Sequence, residues 1–252
     1  KLYAQISDQP VTVEPVMRHQ PDFAPTPVRI ERLAMTGANG QPLFEDLNLD
    51  IEAGQFVGLK GADGSGQSVF LRSIMGDLTP ALGQILINGV PVRHKQPRVS
   101  YVGQVPQVFR GTILDNLTLF GTYTAEDAKW VADLTGLTPE IHRLPDGFDT
   151  QLLGSANPEL STAFSQLICI ARAIVSKPSV LLLDASNNGL DAKTESAFAQ
   201  MLQRLSGQVT IFLATQRPSL LLDADLIFEL SNKTGRVAPA APPLAPGGSL
   251  QE

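Results

Sequence analysis

The 252-residue chain has a single cysteine, Cys169, which excludes an internal disulfide framework and any cysteine-rich zinc site. It has three histidines, His19, His94 and His142. None is spaced from another His or Cys as metal ligands are, and all three read as surface residues. Positive charge is in short supply: 19 Lys and Arg stand against 25 Asp and Glu, for a net charge of −6 and a pI near 5.1. A general nucleic-acid binder would carry a basic face, so no nucleic-acid partner is expected. Apolar runs such as Val180–Leu183 fall far short of the roughly 20 residues of a membrane helix, so no span is expected. No secretory signal is expected. The first residue is Lys rather than Met, as expected of a fragment of a longer polypeptide. Hydrophobic residues make up 43% and charged residues 17%. That is too apolar for a disordered chain and ample for one large domain or two small ones.

Prolines mark the ends. Pro10, Pro15, Pro21, Pro25 and Pro27 break any helical pattern, so residues 1–27 read as a linker. Residues 237–252 are rich in Pro, Ala and Gly and read as a disordered tail. Residues 28–236 then form the domain, with a helical subdomain at about 105–178. Within it, Val28–Met35 alternates like an edge strand. Strands are expected at Asn48–Ile51, Phe56–Leu59, Gly83–Asn88, Val99–Val102, Val180–Leu183 and Val209–Ala214. Helices are expected at Ser68–Met75, Ala125–Leu134, Leu167–Val175 and Ala192–Leu205. Buried apolar strands alternating with helices predict an α/β fold with a parallel sheet, to which the early antiparallel strands add a β-subdomain.

One loop carries chemistry. Gly61-Ala62-Asp63-Gly64-Ser65-Gly66-Gln67-Ser68 follows an apolar strand and opens a helix, as a phosphate-binding loop must. Glycines let successive backbone N–H groups face a phosphate, and the helix N-terminus adds partial positive charge. Ser68 stands where a hydroxyl would meet Mg²⁺. The Lys position of the pattern holds Gln67, whose amide donates a hydrogen bond but brings no charge. An ordinary glycine-rich turn between strand and helix accounts for the same octapeptide. Farther on, Ser179-Val-Leu-Leu-Leu-Asp184 is an apolar strand ending in a carboxylate, the way such proteins hold an Asp against Mg²⁺. The next residue, Ala185, has a methyl group where a carboxylate would orient water.

In order along the chain these segments resemble the nucleotide-binding domain of ATP-binding cassette transporters, of the exporter type, over roughly residues 28–235. Ile85-Leu-Ile-Asn-Gly89 is similar to the family's G-x-I-x-I-x-G strand pair, and Tyr101-Val-Gly-Gln104 to its Q-loop. Gly111-Thr-Ile-Leu-Asp-Asn116 and Leu144-Pro-Asp-Gly-Phe-Asp-Thr150 match exporter segments. Leu160-Ser161-Thr162-Ala163-Phe164 sits where the signature L-S-G-G-Q belongs, Leu190-Asp191 where the D-loop ends, and Ala214-Thr-Gln216-Arg217 in the H-loop.

The departures fall on chemistry. Gly37 stands near the place of the adenine-stacking aromatic. Gln67 replaces the Walker A Lys, Val69 the Thr after Ser68, Ala185 the catalytic carboxylate, and Gln216 the switch His, which alone could change charge near neutral pH. The signature keeps Leu160 and Ser161, but Thr162, Ala163 and Phe164 crowd the approach that glycines would leave open. Ser155 and Asn157 replace the Glu and Gly before it. Gln104, Ser68, Asp184 and Asp191 keep consensus polar positions.

The resemblance implies ATP and Mg²⁺ as cofactors, with Gly61, Asp63, Gly64, Ser65, Gly66, Gln67, Ser68, Val69, Gln104 and Asp184 around the nucleotide. Mg²⁺ would lie on Ser68, Gln104 and Asp184. It also implies a membrane domain and a second nucleotide-binding domain as partners, at the cytoplasmic face of a membrane. The departures imply weak or absent ATP binding and no competent catalytic set. Removing one transition-state donor commonly costs about 10²–10³ in rate, and three groups are missing. The competing expectation is an ATP-binding subunit whose partner supplies catalysis. Among single residues, Cys169 and Trp130 read as packing residues, Arg172 as an ion-pair residue, and Phe164 as a ring buried either on its own core or on a partner.

Overall fold

Three short strands almost wholly buried on both faces run through the middle of the fold: Phe56–Lys60, Val180–Asp184 and Thr210–Ala214. They belong to a computed structural model that describes residues 23–37, 40–96, 98–154, 160–185, 189–231 and 234–238. Residues 1–22 of the expected linker, 239–252 of the expected tail, and Ser155 and Asn157 lie outside the described residues. In chain order the elements are β1 (Val28–Thr36), β2 (Pro42–Ile51), β3 (Phe56–Lys60), α1 (Gln67–Met75), β4 (Leu82–Ile87), β5 (Val90–Pro91), β6 (Val99–Val102), β7 (Arg110–Thr112) and α2 (Ile113–Leu117). There follow α3 (Ala125–Thr135), α4 (Thr138–Ile141), β8 (Gln151–Leu153), α5 (Thr162–Ile174), β9 (Val180–Asp184), α6 (Ala192–Leu205), β10 (Thr210–Ala214), β11 (Leu226–Ser231) and β12 (Thr234–Ala238).

The main sheet has the order β12-β11-β3-β10-β9-β6, parallel from β11 to β6 and closed at one side by antiparallel β12. A second sheet, β2-β1-β4-β5, is antiparallel throughout, and β7 pairs with β8 in a small ribbon. Successive residues of a strand face opposite sides, and the core divides accordingly. Phe56, Leu181, Leu183, Ile211 and Leu213 face the cluster built with α2, α3, α5 and α6. Val57, Leu59, Val180, Leu182 and Phe212 face the cluster built with α1 and the antiparallel sheet. The fold is therefore the expected α/β arrangement of parallel sheet, antiparallel β-subdomain and helical subdomain.

Three sequence expectations need correction. Val28–Thr36 is not an edge strand: it pairs with β2 on one side and β4 on the other. Its alternation reports one buried face and one wet face, which an inner strand of a one-sided sheet also has. Helix α5 begins at Thr162, five residues before the expected Leu167, because the Ser161 hydroxyl accepts from the Phe164 N–H and caps it. Val237, expected in the tail, belongs to β12, where it pairs with Phe228. The end of the expected linker, residues 23–27, packs on the domain: Pro27 O accepts from Asn88 N at 3.0 Å and Thr26 O from Thr210 Oγ1 at 2.7 Å.

Candidate nucleotide site

The loop after β3 is shaped by backbone conformations that glycine adopts without strain. Gly64 and Gly66 have φ of +81° and +96°. A Cβ on Gly64 would meet nothing within 4 Å, whereas one on Gly66 would come 3.0 Å from the Phe44 ring. Gly64 thus serves the turn alone, and Gly66 both the turn and the packing. Gly66 also opens α1, its carbonyl accepting from Phe70 N at 2.8 Å. Asp63 is exposed, and Val69 packs partly against the core beneath the helix.

Gln67 does not reach out over the loop. Its Nε2 donates to the Leu59 carbonyl at 3.0 Å, so the side chain turns back on β3. On the next residue the Ser68 hydroxyl receives Gln104 Nε2 at 3.2 Å, and the same Nε2 lies 3.3 Å from Asp184 Oδ1. The other carboxylate oxygen of Asp184 accepts from the Tyr101 hydroxyl at 2.7 Å. Asp184 is 2% exposed at the end of β9, and Tyr101 is on the neighbouring strand β6. Burial, then the bond to Asp184, pushes the Tyr101 phenol well above its ordinary value, so it remains a donor. The structure thus gathers Ser68, Gln104 and Asp184, as expected, and adds Tyr101, which sequence reasoning left without a role. Its position three residues before Gln104, on a strand paired in register with β9, was the available signal.

Ala185 has φ +45°, a left-handed conformation unusual for a residue with a Cβ, and its N–H donates to Ala214 O at 3.0 Å. Gln216 Nε2 donates to Gly61 O at 2.9 Å, tying the end of the β10 segment to the first residue of the loop. Arg217 pairs with Glu195 and donates to Leu190 O at 3.1 Å. The Ser219 hydroxyl and then Arg217 hold the Glu195 carboxyl below its ordinary value. Asp191 caps α6 by accepting from Thr194 N at 2.8 Å, a bond that also lowers its pKa.

The signature segment stands apart. Among the described residues no hydrogen bond joins Leu160–Phe164 to the loop at Gly61–Ser68. Leu160, Ala163 and Phe164 pack partly against the chain's own core. Thr162 is exposed, and its methyl lies 3.4 Å from where a Cβ on Gly189 would sit. Arg172 forms no ion pair among the described residues. Its guanidinium donates to Gln107 O at 2.6 Å and lies 4.3 Å over the Phe109 ring. The expected ion-pair role is therefore replaced by carbonyl and ring contacts, and burial lowers its pKa.

Tested against a magnesium nucleotide, the residues fit in part. Ser68 and Asp184 offer oxygen donors of the kind a hard cation takes, while Gln104 turns its amide nitrogen toward both and the Ser65 N–H of the loop is bonded to Ala62 O at 3.0 Å. The phosphate clamp and hydrolytic set do not fit: an amide bonded to a strand, a methyl and a second amide bonded to the loop stand in their places.

The profile of the ABC transporter family matches residues 44–188. The chain is 30% identical over 243 residues to the ABC multidrug transporter mdr2 of Aspergillus fumigatus, an alignment covering 93% of this chain and 30% of that protein. It is 34% identical to the mitochondrial iron-sulfur clusters transporter ABCB7 of Oryzias latipes, over 86% of this chain and 30% of that one. The structure of a bacterial Atm1-family ABC exporter with ATP bound superposes with a TM-score of 0.77 at 24% identity, covering 84% of this chain and 38% of that one, which shows a common fold. The chain spans 16%, 30% and 15% of the first three curated relatives it matches.

Proposed function

The chain belongs to the ABC transporter family, and we propose that it is the nucleotide-binding domain of an exporter that couples to membrane helices with little or no ATP binding or hydrolysis of its own. The observation that carries this reading is the bond from Gln67 Nε2 to Leu59 O. A lysine there would bring a full charge to the phosphates, and charge-assisted bonds are roughly twice as strong as neutral ones. Gln67 is neutral, and one of the two N–H donors of its amide is already engaged by Leu59 O. Ala185 provides no carboxylate to orient water, and Gln216 is bonded to the loop and has no titration near neutral pH. Phosphoryl transfer depends almost wholly on positioning and electrostatics, so these replacements remove its support at fixed places.

In this account the partners are a transmembrane domain, on the same or a separate chain, and a second nucleotide-binding domain. The domain lies on the cytoplasmic face of a membrane. The nucleotide-binding unit runs from β1 to the end of β12, residues 28–238, with 105–178 its helical subdomain. Phosphate release from Mg-ATP by the purified chain tests it: no rate above background is expected, and turnover by the chain alone overturns it.

The preserved cluster of Ser68, Gln104, Asp184 and Tyr101 favours a second reading, an ATP-binding subunit whose partner supplies catalysis. Nucleotide bound at this loop, with turnover only after a partner bearing intact Lys, Glu, His and L-S-G-G-Q is added, distinguishes it from the first.

A further inference from the structure

Trp130 is the only tryptophan of the chain. It is half-buried on α3 and touched from two directions. The Phe23 ring lies 6.1 Å from it between centroids, tilted by 54°, within the range of roughly 4.5–7 Å for attractive aromatic pairs. The Lys177 ammonium stands 5.5 Å from its centroid, close enough for attraction by the ring. Lys177 lies just beyond α5, turned into the left-handed region at φ +47°, with its N–H on Ile174 O at 2.8 Å. Behind Phe23 the segment is bonded twice more. Thr26 O accepts from Thr210 Oγ1, which also accepts from Gly54 N at 3.0 Å, and Pro27 O accepts from Asn88 N. Thr210 is wholly buried at the start of β10. A cavity of about 400 Å³, lined by Phe23, Pro25, Trp130, Lys177, Gly207 and Gln208, lies beside the segment. The segment is therefore held at points rather than packed along its length.

We propose that residues 23–27 are a strap that passes a displacement at Phe23 to α5, the helix opened by the Ser161 cap. The path runs from Phe23 to Trp130 on α3 and to Lys177 at the far end of α5. A helix transmits such displacement as a stiff body, and the 13 residues of α5 end in the Ser161 cap. The Thr26–Thr210 bond anchors the strap to the parallel sheet, so the helical subdomain and the sheet would feel the same pull. Nothing in this path depends on whether nucleotide binds.

The single tryptophan makes the test direct. In the full chain, Phe23→Ala should shift Trp130 emission to the red and increase its quenching by acrylamide, with far-UV circular dichroism unchanged. The milder Phe23→Leu should do the same to a smaller extent, should the alanine variant fail to fold. Thr210→Val, which removes the donor to Thr26, should shift Trp130 emission in the same direction, while Thr210→Ser should not. Hydrogen exchange at the Phe164 amide, bonded to Ser161, should quicken in Phe23→Ala. Unchanged emission in the Phe23 variants overturns the proposal. So does a Thr210→Val variant with wild-type emission, or unaltered exchange at Phe164.

Discussion

The Gln67 side-chain amide lies 3.0 Å from the Leu59 carbonyl, so the first residue of α1 is bonded to the strand that precedes its own loop. The same strand carbonyl stands 3.5 Å from Thr215 N on the neighbouring segment. Gln67 therefore contributes to holding strand, loop and helix together. Gln67→Ala should lower stability by about 0.5–1.5 kcal/mol, the net worth of one neutral hydrogen bond, read from denaturant unfolding.

Restoring side chains should not restore chemistry. The combined variant Gln67→Lys, Ala185→Glu and Gln216→His returns the missing groups on one side of the site. It leaves Thr162, which is exposed, and Ala163 and Phe164, which pack partly against the chain's own core. Phosphate release by this variant on its own should stay at background. Turnover would locate the defect wholly in the three restored positions.

Tyr101 should matter more than its exposure suggests. Its hydroxyl is one of two donors to the buried Asp184 carboxylate. Tyr101→Phe leaves that oxygen short of a partner where water has little access. The expected loss is about 1.5–3 kcal/mol, the range for a hydrogen bond to a charged group. Equilibrium unfolding of the variant measures it.

The two glycines of the loop should answer differently to alanine. Both sit in the left-handed region, where a Cβ costs roughly 1–2 kcal/mol. Gly64→Ala should lose about that and no more, since space there is open. Gly66→Ala should lose more, because the new Cβ meets the Phe44 ring at 3.0 Å. Equal losses in thermal unfolding would contradict the packing role of Gly66.

Stability should fall on the acid side partly through Glu195. Its folded pKa lies below the ordinary 4.5, held there by Ser219 and Arg217. A depressed carboxylate contributes stability above its unfolded pKa and loses it as pH falls through the folded value. Melting temperatures taken downward from pH 6 should therefore drop less in Glu195→Gln than in wild type below about pH 4.5. Parallel curves would remove Glu195 from the account.

Much of the fold was legible because its parts carry a period. The apolar runs of β9 and β10 and the amphipathic α6 appear where hydrophobic spacing puts them. By contrast α2 has only five residues and is held by a capping box between Thr112 and Asp115, which leaves no period to detect. The ribbon of β7 and β8 consists of two three-residue strands far apart in sequence. At the site, motif spacing located Ser68, Gln104 and Asp184 together. Side-chain direction was not legible: that Gln67 turns back to Leu59 depends on the local loop conformation, and that Tyr101 reaches Asp184 depends on strand order, neither of which spacing encodes. Arg172 misled for a related reason, since its partners are the Gln107 carbonyl and the Phe109 ring rather than a carboxylate.

Isothermal titration of Mg-ATP into the purified chain goes to the centre of this account. With the Gln67 amide bonded to the strand and no ammonium in the loop, no saturable heat should appear at millimolar nucleotide. A well-defined isotherm with micromolar affinity, about −8 kcal/mol, would contradict it.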